Sequence, residues 1–289
     1  VRYEWLFAFA VFAEHLNFTR AARQLSISQP ALHVQIKKLA AEVGRPLYRR
    51  RGRTLALTPE GVRLAAFGRE VAERGRAVLE ELRGEPASGP VVLASGQGAF
   101  LYLLGPAIRR FPKERWPLRL LAMPGPEVIE AVRDARAHLG VAALEAAPAD
   151  LASWPLRAVG QQVVVPAAHR FARRRSLRPA DLGGEPLVAA PAGSPHRAML
   201  DQLLRAAGTV PVIAVEATGW ELMLQFARYG VGVAVVNDFC PPPRGMVAIP
   251  LAGAPAVTYH LVARGGIAGP GAQALRGLIA ETAAPARAS

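Results

Sequence analysis

The chain is nearly without cysteine: Cys240 is the only one among 289 residues. A single thiol closes no disulfide within one chain and supplies no cysteine-based metal cluster. That suits a reducing compartment, and a lone cysteine reads first as a small buried hydrophobe. Long apolar runs are missing as well. The stretch Trp5 to Ala13 is too short to span a bilayer and runs directly into Glu14 and His15. It reads as a first helix with Leu6, Phe9, Ala10 and Ala13 facing a core. The expectation is a cytoplasmic protein with no membrane partner. Catalytic signatures are also lacking: no G-x-S-x-G, H-E-x-x-H, Walker phosphate loop or G-x-G-x-x-G. The six histidines are scattered, with no pair at metal-ligand spacing on one helix. Ser194, His196 and Asp201 are neighbours in sequence only, and a nucleophilic triad is defined by fold geometry. No catalytic residue, metal site or cofactor is expected.

Acidic residues are scarce against basic ones, 22 to 35, for a net charge of +13. Such an imbalance speaks to partners rather than to fold. Residues 1–63 hold eleven of the cations and four of the acids, so +7 sits in that short stretch. The remaining +6 is spread over the longer remainder. A polyanion-binding amino-terminal end has this distribution. The length allows two or three domains, and 51% apolar residues exclude wholesale disorder.

Phe18 to Gly44 organises the rest. Thr19 can cap a short helix over Arg20 to Leu25, and Ser26-Ile27 makes a tight turn. Ser28 then caps a second helix that starts at Gln29, accepts Pro30 in its first turn and stops at Gly44. Leu32, Ile36, Leu39 and Val43 recur as one apolar stripe, while Gln29, His33 and Lys37 lie on another face. That face carries hydrogen-bonding groups first and cations later, which suits base edges and phosphates. Next comes Tyr48-Arg49-Arg50-Arg51-Gly52-Arg53-Thr54, a short cationic hairpin with Gly52 at its tip. A helix-turn-helix followed by such a hairpin is a winged DNA-binding module. Candidate DNA contacts are Thr19, Ser28, Gln29, Pro30, His33, Lys37, Lys38, Arg50, Arg51, Arg53 and Thr58. Gln29 and His33 read bases; Lys37, Lys38, Arg50, Arg51 and Arg53 hold phosphates.

Thr58-Pro59-Glu60 opens a long helix with a cap, an N1 proline and a first-turn carboxylate. Leu64, Val71 and Val78 recur every seven residues, with Phe67 and Leu82 flanking. One apolar seam on a long charged helix suits pairing with a second copy. Residues 85–90, rich in Gly, Pro, Ala and Ser, read as a hinge.

Ala21-Ala22, Leu25, Ser28-Gln29-Pro30-Ala31-Leu32, Gln35-Ile36-Lys37-Lys38-Leu39, Gly44, Leu47, Arg50, Leu57-Thr58 and Gly61 resemble the amino-terminal signature of LysR-type transcriptional regulators. The chain departs from it at His33, where the family usually has Ser, at Ala40, where an acid is common, and at Tyr48, where Phe is usual. The resemblance implies an all-α winged helix-turn-helix in residues 1–58 and a dimerising linker helix in 59–84. It also implies an α/β two-lobed, periplasmic-binding-protein-like effector domain in 91–289, with lobe one as 91–160 plus 257–289 and lobe two as 161–256.

The residues after 90 support an α/β reading independently. Short apolar runs at Val91–Ala94, Leu118–Met123, Gly140–Leu144, Gln162–Pro166, Leu187–Ala190, Val212–Glu216, Val231–Val236 and Tyr259–Ala263 alternate with amphipathic stretches, which predicts parallel sheets. Helices are expected from the turn at Ser95–Gly98 to about Phe111, and from Pro124 to about His138. In open α/β sheets the ligand crevice lies beyond the carboxyl ends of the strands. Four strand-to-helix turns converge there in this scheme, with Ser95, Gly96, Gln97, Gly125, Gly193, Ser194 and Thr218 as candidate effector contacts. Amides at helix N-termini favour an anion such as a carboxylate. Arg197 and Trp220 are further candidates.

Two functions from different classes fit these features. One is a transcriptional regulator that binds double-stranded promoter DNA as a homodimer or tetramer, answers a small effector, and touches RNA polymerase if it activates. The other is a small-molecule binding protein or enzyme whose amino-terminal module serves assembly. The cationic wing beside Gln29, His33 and Lys37 separates them, because an assembly module has no need of it.

Overall fold

A computed structural model describes residues 2–52, 54–83, 89–113, 115–265 and 269–283, apart from the side chains of residues 77 and 81. The amino-terminal unit comprises helices α1 (Tyr3–His15), α2 (Phe18–Gln24) and α3 (Gln29–Val43), then the hairpin β1 (Tyr48–Arg51) and β2 (Thr54–Leu57). Its core is the α3 stripe, with Leu32, Ile36 and Leu39 buried against Phe9 and Phe12 of α1. Val43 packs at the edge of the same cluster. Ser28 caps α3 by accepting the Ala31 amide at 3.3 Å, and Gly44 ends it at φ +70°. Ser26 takes a left-handed φ of +55° to turn the chain between α2 and α3. The α2 cap is Asn17, whose carboxamide oxygen accepts the Arg20 amide at 3.0 Å. Thr19 lies inside the first turn instead, a correction to the sequence reading. A carboxamide one residue before the helix reaches the open N3 amide, and Asn ranks above Thr in that role.

The long helix α4 (Pro59–Arg83) follows. Its amino-terminal half rests on its own domain. Ala65 is fully buried, and a Cβ on Gly68 would stand 3.0 Å from the Leu6 carbonyl oxygen of α1. Gly61 lies closer still to the Leu47 carbonyl, and any side chain there would collide with backbone. Further along, Phe67, Val78, Leu79 and Leu82 are exposed. The seam inferred from sequence is thus split: one flank covers α1 and the other faces outward. Most of the hinge inferred at 85–90 lies outside the described residues.

The remainder forms two five-stranded sheets. The first contains β3 (Val91–Ser95), β4 (Leu118–Ala122), β5 (Leu139–Leu144), β6 (Ala152–Val159) and β12 (Val257–Ala263), in the order β4-β3-β5-β12-β6. Helices α5 (Gln97–Tyr102), α6 (Gly105–Arg110), α7 (Gly125–Arg133) and α10 (Gly269–Ala283) belong with it. The second contains β7 (Gln161–Pro166), β8 (Pro186–Ala189), β9 (Val212–Glu216), β10 (Val233–Asn237) and β11 (Met246–Pro250), ordered β11-β7-β10-β8-β9. Its helices are α8 (Pro195–Ala206) and α9 (Trp220–Arg228). The chain crosses between lobes at Gly160 and again between Pro250 and Val257.

The sheets are mixed, which corrects the expectation of parallel ones. β3 pairs parallel with β4 and β5, and β8 with β9 and β10. β12 and β7 run antiparallel to both their neighbours. The reason is the double crossover: each return strand enters its sheet from the other lobe, not through a helix of the same lobe. The helix expected to reach Phe111 is broken at Leu103-Leu104 into α5 and α6. Pro106 lacks an amide hydrogen, so it cannot bond back to the Tyr102 carbonyl and is accommodated only in a first turn, where the new helix starts. The helix expected to reach His138 stops at Arg133, with Ala135 at φ +53°.

Candidate functional sites: a nucleic-acid face and an interlobe cleft

On the amino-terminal unit, Gln29, His33 and Lys37 are all exposed along one side of α3. The Thr19 hydroxyl donates to Gln29 Oε1 at 3.2 Å. That fixes the carboxamide and leaves its NH2 end free to donate outward. The His33 ring lies 5.1 Å from Phe18, which packs on Phe12 at 4.4 Å and on Tyr48 at 5.6 Å. One aromatic cluster therefore ties α1, α2, α3 and the hairpin into a fixed relation. Lys38 is exposed, and its ammonium stands 5.7 Å from the centre of the Trp5 ring, which Arg2 shares.

The hairpin register puts Tyr48 opposite Leu57 and Arg50 opposite Leu55, with Arg49 opposite Ala56 and Arg51 opposite Thr54. Side chains alternate along a strand. Tyr48, Leu55 and Leu57 pack on the domain core, so Arg49 and Arg51 share the outer face. Arg50 is also exposed, and its Nε donates to the Gly52 carbonyl at 3.2 Å, bracing the tip. Gly52 adopts φ +62°, as a tight hairpin turn requires. Arg53 lies outside the described residues. Thr58 stands apart from this face: its buried hydroxyl donates to the Pro46 carbonyl at 2.7 Å and accepts the Gly61 amide at 3.0 Å. Both bonds serve the start of α4. Ser28 and Pro30 are exposed at the α3 N-terminus.

Between the lobes, the first turns of α5 and α9 abut. A Cβ on Gly98 would lie 2.1 Å from Trp220 Cδ1, so the indole fills the space that a side chain would take. A Cβ on Gly219, itself at φ +92°, would lie 3.0 Å from Gln97 Oε1 and 3.9 Å from Glu221 Oε2. The turns at Ser95–Gly98 and Thr218–Gly219 thus meet. The turn at Gly193-Ser194 joins them through His196, whose ring stands edge-on to Trp220 at 4.6 Å. Gly125 has Ala142 as its nearest neighbour and is not brought into this group.

Several candidate side chains are already engaged. The buried Ser95 hydroxyl donates to the Val141 carbonyl at 2.8 Å. Ser194 caps α8 by accepting the Arg197 amide at 3.3 Å. Arg197 binds Asp201 and Glu216, both at 2.9 Å. Ser194, His196 and Asp201 therefore form no triad. Gln97 and Thr218 are exposed.

Sequence reasoning missed the polar line that crosses the lobes. His196 Nε2 meets Gln161 Oε1 at 3.2 Å, Gln161 Nε2 donates to Asn237 Oδ1 at 3.0 Å, and Asn237 Nδ2 donates to the Tyr259 hydroxyl at 3.0 Å. Gln161 and Asn237 are buried, and each sits at a strand end beside a crossover. Burial holds the His196 pKa down to about 4, so the ring is neutral near pH 7. Burial also pushes the Cys240 thiol well above its ordinary value, as an inert core cysteine would have it. The only signal for these residues was their polarity inside otherwise apolar strands.

Comparison with known proteins covers both the amino-terminal unit and the two lobes. Residues 3–62 match the model for bacterial regulatory helix-turn-helix proteins of the lysR family, and residues 84–284 match the LysR substrate binding domain. The transcriptional regulator CysB of Haemophilus influenzae is 28% identical over 232 residues, covering 77% of this chain and 71% of that protein. A full-length OxyR variant from Pseudomonas aeruginosa superposes with a TM-score of 0.76 at 22% identity, covering 98% of this chain and 94% of that one. CbnR in complex with its target DNA gives 0.56 at 19% identity, covering 98% and 100%. The exposed recognition helix and the paired lobes are family features, and the chain belongs to the LysR family of DNA-binding transcriptional regulators, which are not enzymes.

Proposed function

We propose that this regulator sits on double-stranded promoter DNA as a homodimer, or as a tetramer made of two such dimers, and that a small effector between the lobes alters how its wings are placed. Gln29 and His33 read base edges, while Lys37, Lys38, Arg50, Arg51 and Arg53 neutralise phosphates. The observation that carries this reading is continuity: the exposed Gln29, His33 and Lys37 face and the outward Arg49 and Arg51 belong to one rigid aromatic-cored unit. The outward flank of α4, with Phe67, Val78, Leu79 and Leu82 exposed, supports pairing with a second copy. Two modules held by one helix pair then address two half-sites.

The amides at the α8 N-terminus, near Gly193 and Ser194, favour an anionic group on the effector. Gly96, Gln97 and Thr218 border the same cleft. The regulator works in the cytoplasm, where its DNA is, and RNA polymerase is a further partner if it activates. An electrophoretic shift on the DNA flanking its own gene tests the reading. A specific, salt-sensitive complex is expected; equal affinity for random duplex would overturn it.

A further inference from the structure

Glu221, on the second residue of α9, is an anomaly in the cleft. Both its carboxylate oxygens are shielded from solvent, and neither accepts a well-formed hydrogen bond from the described residues. Its surroundings come from both lobes. The Tyr102 phenol, at the end of α5, is pushed above its ordinary range by burial, then by its hydrogen-bonding approach to the Glu221 carboxylate and by that carboxylate's charge. Gln97 Oε1 and Glu221 Oε2 flank the same point beside Gly219.

A second buried atom nearby has the same need. His196 Nδ1 is shielded and has no hydrogen-bond partner among the described residues. Its other nitrogen faces the Gln161 carboxamide oxygen, an acceptor, so Nε2 carries the proton and Nδ1 is a bare acceptor. Trp220 adjoins both residues, following Gly219 in the chain and meeting the His196 ring edge-on. The cleft therefore presents more buried acceptors than donors, with the Tyr102 phenol as the donor beside Glu221, plus one aromatic surface. A buried acceptor left unmet costs free energy, and an unmet carboxylate costs more.

From this arrangement we propose that the effector carries a primary ammonium group, which sits between the lobes against the Glu221 carboxylate, His196 Nδ1 and the Trp220 ring. An ammonium offers three donors and a positive charge, and an indole is a favourable cation surface. This deepens the reading that the effector sits between the lobes, and it rests on that reading. A carboxylate at the strand-to-helix turns is then the other end of the same molecule.

The test uses the full chain at constant ionic strength and pH 7.5. Thermal unfolding is followed without ligand and with butylamine, butyrate or 4-aminobutyrate, each up to 50 mM, in wild type and Glu221→Gln. Without ligand, Glu221→Gln is expected to melt higher than wild type, by about 3 °C, because a frustrated charge is removed. Butylamine and 4-aminobutyrate are expected to raise the wild-type midpoint and to leave that of the variant unmoved. A lower or unchanged midpoint for the ligand-free variant shows Glu221 to be structural or already neutral, and overturns the proposal. An equal rise in wild type and variant, or no rise at all, also overturns it. A rise with butyrate alone overturns the ammonium assignment but leaves an effector between the lobes standing. Unaltered operator binding with butylamine, despite a raised midpoint, instead counts against the effector reading.

Discussion

Glu73 of the linker helix accepts a hydrogen bond from His138 Nε2 of lobe one. The other imidazole nitrogen accepts the Val92 amide at 2.7 Å, so the ring is neutral and its single proton points at the carboxylate. Beside this pair, Arg69 donates to the Asp134 carbonyl, with Nε at 2.7 Å. These bonds join the helix that carries the DNA-binding unit to the lobe that borders the cleft. Burial acts to raise the Glu73 pKa, but the hydrogen bond from His138, with the charges of Arg264 and Arg76, outweighs it, and the net shift is downward.

A carboxylate with a lowered folded pKa contributes stability above its unfolded value and loses it as pH falls through the folded one. The joint should therefore hold at neutral pH and weaken below the ordinary glutamate value of 4.5. A double-mutant cycle of Glu73→Gln and His138→Ala on thermal unfolding is expected to give about 1 kcal/mol of coupling at pH 7. At pH 3.5 the coupling should be smaller. Independent, additive effects at pH 7 would show that the two residues do not cooperate.

Arg51 shares the outer face of the wing with Arg49. Arg51→Ala should weaken binding to every duplex alike and lower the slope of log affinity against log salt by about one. Gln29, held by Thr19, should behave differently. Gln29→Ala is expected to relax preference at one base position, at about 1–3 kcal/mol, with the salt slope unchanged. Binding titrations on matched and single-base-changed duplexes at several salt concentrations distinguish them. A uniform loss for Gln29→Ala would reassign it to the backbone.

Val78 and Leu82 are apolar, exposed and one turn apart on α4. Val78→Asp with Leu82→Asp should turn a dimer into a monomer in light scattering, because burial of each side chain is worth about 1.5–3 kcal/mol. Affinity for a two-half-site operator should fall with it. An unchanged mass would place the subunit contact elsewhere.

Gly98 has no room for a side chain because Trp220 occupies it. Gly98→Ala must displace the indole or part the lobes, at a cost of about 1–3 kcal/mol. Tryptophan emission should shift to the red in Gly98→Ala but not in Gly98→Ala with Trp220→Phe. The same shift in both variants would mean that Trp220 is not the group that moves.

The α3 helix was legible because it obeys local rules throughout: Ser28 and Gly44 close its ends, and Leu32, Ile36 and Leu39 mark the buried side. The α/β alternation was legible for the same reason. Strands β6 and β11 were not, nor was the antiparallel direction of β7 and β12. β6 contains Pro155 and a mixed burial pattern, and β11 ends on Pro250 and mixes buried with half-buried positions, so neither announces itself in sequence. Their direction depends on the two crossings between lobes, which no local pattern encodes. The cleft was legible only as a set of turns. Gln161, His196, Glu221, Asn237 and Tyr259 are distant in sequence, and only the packing of the two sheets brings them near one another. The Asn17 cap was missed because Asn17 and Thr19 are both good capping residues, and the choice depends on where the first helical turn begins.

Hydrogen exchange of the full chain, with and without its operator duplex, tests the central claim most directly. Slowed exchange is expected in 26–38 and 48–57, the turn, recognition helix and wing, with little change in the sheets of the two lobes. Protection confined to residues after 90, with the recognition helix and wing unchanged, would contradict it.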